Sequence, residues 1–120
     1  MFTRIDDLPA GAIGFRASGT VALSDSRAIM EPAIHSALAE SGRVRLLYLA
    51  GADFIGYRAG AVWDETAFGS RHFTDFEKIA FVSDREPYER AVQALDGLMP
   101  AELKVFSPRE IDVAKEWLAA

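Results

Sequence analysis

The sequence predicts an α/β domain: a mixed five-stranded sheet, mostly parallel with an antiparallel N-terminal strand, and about four helices. Three observations predict it. Val44 to Ala50 and Ile79 to Val82 are nearly unbroken apolar runs without alternation, the pattern of strands covered on both faces. Apolar residues at helical spacing fill the stretches between and beyond such runs. The chain opens on two short segments separated by a turn, as a hairpin does.

Each element has its own justification. Gly11 to Gly19 reads as a strand because Ile13, Phe15 and Ala17 alternate with Gly14, Arg16 and Ser18. Phe2 to Ile5 is a weaker strand, and Asp6 to Pro9 makes the turn that lets the two pair. Ser24 or Asp25 is suited to cap a helix, because its side-chain oxygen accepts an unpaired backbone N–H. Met30, Ile34, Ala37 and Leu38 form that helix's apolar stripe. Pro32 lies inside the pattern without an N–H to donate, so a kink or a restarted helix is expected there, with Gly42 as the stop.

Between the two apolar runs, Ala59, Val62, Trp63, Thr66 and Ser70 share one helical face. Pro87 suits a helix's first turn, and Tyr88, Ala91, Val92, Leu95 and Leu98 follow at three or four residues until Pro100. Leu103, Val105 and Phe106 make a short strand. Ser107-Pro108-Arg109-Glu110 has the form of a capping box opening a last helix, whose stripe is Ile111, Ala114, Trp117 and Leu118. The order β-β-α-β-α-β-α-β-α calls for parallel pairing through right-handed crossovers after the opening hairpin. No linker or repeat divides the chain, so residues 1–120 are read as a single domain.

Composition excludes several classes. The 120 residues carry 13 basic and 18 acidic side chains, a net charge of −5. Residues 1–60 hold six of each sign, whereas residues 61–120 hold seven basic and twelve acidic and carry the whole excess. An acidic chain argues against nucleic acid, whose phosphates require a basic surface. No polybasic cluster exists to draw the chain to anionic lipid. With no cysteine, disulfide scaffolds, cysteine nucleophiles and thiolate metal sites are ruled out. The uncharged run Leu46 to Ala52 is far short of the ~20 residues of a spanning helix, and the N-terminus lacks a signal peptide's apolar core. The expected location is cytoplasmic.

Several residue groups in this order are similar to one known family. They are Gly42-Arg43-Val44-Arg45-Leu46-Leu47 entering the central strand and Asp53-Phe54-Ile55-Gly56-Tyr57 after it. Trp63-Asp64, Phe68 and His72 follow, then Phe76-Glu77-Lys78-Ile79-Ala80-Phe81-Val82, Val105-Phe106 and Ala114-Lys115-Glu116-Trp117-Leu118. Over nearly the whole chain this resembles the SpoIIAA-like family, grouped with the STAS domains (sulfate transporters and anti-sigma-factor antagonists). The resemblance implies a small STAS-like α/β fold. Some members look like binders of small apolar or lipid-like ligands or like peripheral membrane proteins, and the fold is similar to that of CRAL-TRIO lipid carriers. One departure bears on function. Anti-sigma antagonists carry an Asp-Ser-(Ser/Ala)-Gly motif after the central strand, whose serine a partner kinase phosphorylates. Here residues 53–60 read Asp-Phe-Ile-Gly-Tyr-Arg-Ala-Gly, without serine or threonine. The phospho-serine switch is missing at that place.

In an open parallel sheet, ligands favour the crevice beyond the carboxyl ends of the strands, where strand order reverses. Candidates to line it are Asp53, Tyr57, Arg58, Ser83, Asp84 and Arg85, with Ser107 beside them and Gly51, Gly56 and Gly60 shaping the loop. The simpler account is a loop feeding the next helix. Phe54, Ile55, Tyr57, Trp63 and Phe68 form a second group, since Phe-Ile directly after a strand is unusual where loops are polar. Exposed, they would mark an apolar pocket, a dimer surface or a membrane-touching patch. Buried, Phe54 and Ile55 would cover the sheet's end and Trp63 would be core.

Other candidates carry less. Asp64, His72 and Asp75 do not share a metal-binding spacing, and His72 suits a helix C-terminus. His35 follows Glu31 by one turn, the spacing of a surface pair. Glu65 and Glu77 would serve as a catalytic pair only if burial drove their pKa values apart. No catalytic residues, metal or cofactor are therefore assigned. The leading expectation is a non-catalytic binding module for a small apolar or lipid-like ligand, with contact to a membrane surface. The alternative is a protein–protein regulatory module or homodimer lacking the phospho-serine switch.

Overall fold

The computed structural model describes residues 2–9, 11–22, 24, 26–57, 76–83 and 102–120. Five strands form one sheet: β1 (Phe2–Ile5), β2 (Ala12–Val21), β3 (Val44–Tyr57), β4 (Phe76–Ser83) and β5 (Glu102–Phe106). They lie side by side in chain order. β1 is antiparallel to β2, and the other pairs are parallel. The mixed sheet and its antiparallel first strand match the sequence reading. Among these five described strands the order does not reverse.

Two α-helices lie among the described residues, α1 (Glu31–Ser41) and α2 (Ile111–Ala119). The helices expected over 59–70 and 87–98 lie outside them. Ser24 is already helical, and a wide π-helical turn, Ser26–Met30, runs into α1. Pro32 falls in the first turn of α1, directly after the change from π to α, which is where the sequence places a kink or restart. Gly42 ends α1 in the left-handed region (φ 76°), its N–H donating to the Leu38 carbonyl at 2.8 Å. The Ser107/Glu110 capping box is present, but the turn it opens, Pro108–Glu110, is 3-10 and α2 proper begins at Ile111.

Both faces of the sheet are covered. On one face Met30 of the π-helical turn and Ala33 and Ile34 of α1 pack against Ile13, Phe15, Ala17, Leu46 and Tyr48. Phe15, Tyr48, Phe81 and Val105 occupy one register line across four parallel strands. Tyr48 stacks on Phe81 at 5.8 Å, and Phe2 meets Tyr48 edge-on at 5.8 Å. Such ring pairs contribute about 0.5–1.5 kcal/mol beyond their buried area. On the other face α2 buries Ala114 and Leu118 against Leu47, Ala80, Val82 and Phe106. α2 follows the last strand, makes no crossover and covers the face opposite α1.

Extra residues in the strands decide which side chains reach which face. Val44 pairs with Phe76, but Arg45 pairs with Lys78, so Glu77 is one residue too many in β4. That bulge turns Phe76 into the α1 core and leaves Glu77 at the sheet's amino end. There the Arg45 guanidinium donates to both Glu77 oxygens, Nε to Oε2 at 3.3 Å and Nη2 to Oε1 at 3.1 Å. Arg43 donates to the Phe76 carbonyl at 3.3 Å and steadies the same bulge. The hydrogen bond from Arg45 holds the Glu77 carboxyl below its ordinary value of 4.5, and the charges of Arg45, Arg43 and Lys78 add to it against the effect of burial.

A carboxyl group held low when folded stabilises the protein above its unfolded pKa and loses that contribution as pH falls through the folded value. Urea unfolding should therefore show wild type more stable than Glu77→Gln at neutral pH. The gap should close as pH falls through a value below 4.5. A gap that persists unchanged in acid would contradict the assignment.

Candidate functional site

The candidate site is the carboxyl end of the parallel strands. β4 pairs with β3 only as far as Ala50 and Ser83. β3 runs on through Tyr57 beside β2 alone, so the two form a ribbon projecting past the rest of the described sheet. The sequence reading ends the central strand at Ala50 and places residues 53–57 in a loop. They instead continue the strand. The physical reason is irregular pairing: Ala17 faces Ala50 and Gly19 faces Phe54, so two steps of β2 span four of β3. Thr20 then faces Gly56, which adds a further residue at Ile55. These insertions hide the alternation by which a strand is recognised.

The insertions also set the faces. Two extra residues preserve the two-residue period, so Phe54 points to the same face as Tyr48 and Ala50 and is only 1% exposed in the α1 core. Its neighbour Ile55, unpaired in the second bulge, is 69% exposed. Of the two accounts weighed for this pair, Phe54 follows the covering one and Ile55 the exposed one. The glycine that accommodates the irregularity is Gly19, directly opposite Phe54 with φ 59°. Sequence reading missed it, although an isolated glycine within a strand pattern is a bulge signal.

Asp53 lies in the first bulge, and its carboxylate receives a hydrogen bond from Arg16 Nη2 at 3.1 Å, both side chains half exposed. Gly51 is buried, and a Cβ on it would stand 3.5 Å from the Asp53 carboxylate. An exposed pair of this kind contributes about 0.2–1 kcal/mol, so its main effect is to leave the ribbon's charge balanced. Arg16 was not singled out from sequence; its alternation signal marks it only as facing solvent. Ser83 is fully buried at the end of β4. Ser107 stands at the end of β5, where its N–H donates to the Glu110 carboxylate at 2.9 Å. Tyr57 closes β3, while Arg58, Trp63, Phe68, Asp84 and Arg85 lie outside the described residues, as do Asp64, Glu65, His72 and Asp75.

The structure thus brings Asp53, Phe54 and Ile55 together on one ribbon and does not join them to Ser83 in a shared cavity among the described residues. Glu77 sits at the opposite end of the sheet, and His35 is exposed on α1. Among the described residues no three His, Asp or Glu side chains cluster as a metal site. None of the described helices is long and apolar enough to cross a membrane.

This architecture is that of a small α/β module: a parallel sheet led by an antiparallel strand, with a helix layer on each face. A family model described as SpoIIAA-like matches residues 12–119. The chain belongs to the SpoIIAA-like family. It is similar to a crystal structure from Shewanella loihica PV-4, an uncharacterized protein of the DUF3478 family with a SpoIIAA-like fold. The two share 25% identity over 98% of this chain and 92% of that one, with a TM-score of 0.74. No curated protein matches the chain.

Phe54 and Ile55, adjacent in sequence, should respond oppositely to truncation. Phe54→Ala removes a buried ring and should cost about 3–5 kcal/mol in denaturant unfolding. Ile55→Ala should change stability by less than about 0.5 kcal/mol. Equal losses at both positions would refute this assignment of faces.

Proposed function

We propose that this protein is a non-catalytic binding module that makes an apolar contact at the carboxyl end of its sheet. The ligand class that fits is a small apolar or lipid-like molecule, free or presented at a membrane surface. One observation carries the reading: Ile55 is 69% exposed on the projecting β2–β3 ribbon, beside an Arg16–Asp53 pair whose charges cancel. An exposed isoleucine beside balanced charge favours hydrophobic contact over electrostatic capture. The non-catalytic part rests on the candidate residues. Asp53 is engaged by Arg16, and Ser83 is fully buried, so neither is offered to a substrate as an acid, base or nucleophile.

A second reading, contact with a protein or with a second copy of the chain, is favoured by a different observation. β3 continues past Ala50 after β4 has ended at Ser83. Among the described residues the β4 side of that segment meets no strand, and an added strand is one way such an edge is used.

Native mass spectrometry of protein purified from cells, together with liposome flotation, tests the first reading. Wild type should carry an apolar adduct or float, and Ile55→Asp should lose that property while keeping its fold by circular dichroism. Neither adduct nor flotation in wild type would count decisively against it. If light scattering instead finds a dimer that Ile55→Asp dissociates, the second reading is correct.

A further inference from the structure

At the amino end of the sheet, opposite the candidate site, a polar network holds the last turn of α2. Arg45 Nη1 donates to the Leu118 carbonyl, and Lys78 Nζ donates to the Trp117 carbonyl at 3.0 Å. Both carbonyls lie in the last turn, where a helix carries the negative end of its dipole; the Trp117 carbonyl also accepts from the Ala120 N–H at 3.3 Å. Lys78 also lies 5.0 Å from the centre of the Trp117 ring. Arg45 is aimed by Glu77, whose two oxygens it contacts. Side-chain exposures of 22% for Arg45 and 41% for Glu77 leave the pair partly shielded yet within reach of solvent ions.

Among the described residues the rest of the anchorage is slight. α2 has nine residues, below the ~12–15 at which an isolated helix becomes even marginal in water. Ala114 and Leu118 are its only fully buried side chains, with Trp117 leaning on Phe106 at 5.8 Å. The remaining ion pair, Lys115 to Asp7 at 3.5 Å, uses an aspartate that is almost wholly exposed. The strands beneath are held by parallel ladders, regular from Ala12/Arg45 to Ala17/Ala50 and from Arg45/Lys78 to Ala50/Ser83, and by the aromatic row on the far face.

We infer that α2 is a strap latched at its C-terminal end by the Arg45–Glu77 pair, and that loosening this pair opens α2 while the sheet stays folded. Opening uncovers the apolar side chains Leu47, Val82 and Phe106. Glu77 acts as a positioning residue: it touches no part of α2 itself in the network described and works by orienting Arg45. The inference does not depend on the proposed ligand.

Hydrogen exchange by mass spectrometry at neutral pH tests it. In Glu77→Gln, amides of residues 111–119 should exchange at least about threefold faster, and their exchange should depend on added urea far more weakly than that of residues 46–49 and 80–82, as local opening does. Wild type in about 1 M salt, where charges screen within about 3 Å, should show the same acceleration in α2. Unchanged exchange in α2, or one urea dependence shared by helix and sheet, would overturn the inference. So would a Glu77→Gln protein that cannot fold, because the latch would then not be local to α2.

Discussion

A strand covered on both faces assigns its side chains strictly by turns, and an inserted residue is what changes the assignment. This chain inserts residues in both central strands. The extra Glu77 in β4 brings Phe76 into the core and leaves a carboxylate at the sheet's amino end. The extra residues in β3, taken up opposite Gly19, keep Phe54 on the core face and leave Asp53 and Ile55 exposed at the carboxyl end. The latch on α2 and the apolar ribbon are therefore two results of one device, placed at opposite ends of the same sheet.

Much of this fold is legible in the sequence, and the reasons are local. Val44 to Ala50, apolar but for Arg45, shows that both faces are covered, as α1 and α2 do cover them. Pro32 and Gly42 act where their backbone chemistry dictates, one restarting α1 and the other ending it. The Ser107/Glu110 box likewise forms where its spacing places it. The residues after Ala50 are less readable. Three glycines and alanines among bulky side chains resemble a loop, and insertions in a strand erase the alternation that would have revealed it. Strand order is also beyond local pattern, since it depends on which edges meet; the described strands lie in chain order.

Family membership and site chemistry address different questions. The SpoIIAA-like match and the similar Shewanella loihica structure establish the frame, and that relative is itself uncharacterized. Function has to be argued from the residues this chain places at its sheet ends. Without serine or threonine in residues 53–60, that stretch lacks the hydroxyl of the phospho-serine motif. It offers a balanced ion pair and an exposed isoleucine instead, a surface for hydrophobic contact.

The absence of cysteine makes the central claim directly measurable, because any introduced thiol is the only one in the chain. Single variants Asp53→Cys, Phe54→Cys and Ile55→Cys, treated with a thiol reagent under native conditions, report the facing of three consecutive residues. The account predicts rapid labelling at positions 53 and 55 and protection at 54 until the protein is unfolded. Equal labelling at all three positions would show that the β3 insertions do not direct side chains as described.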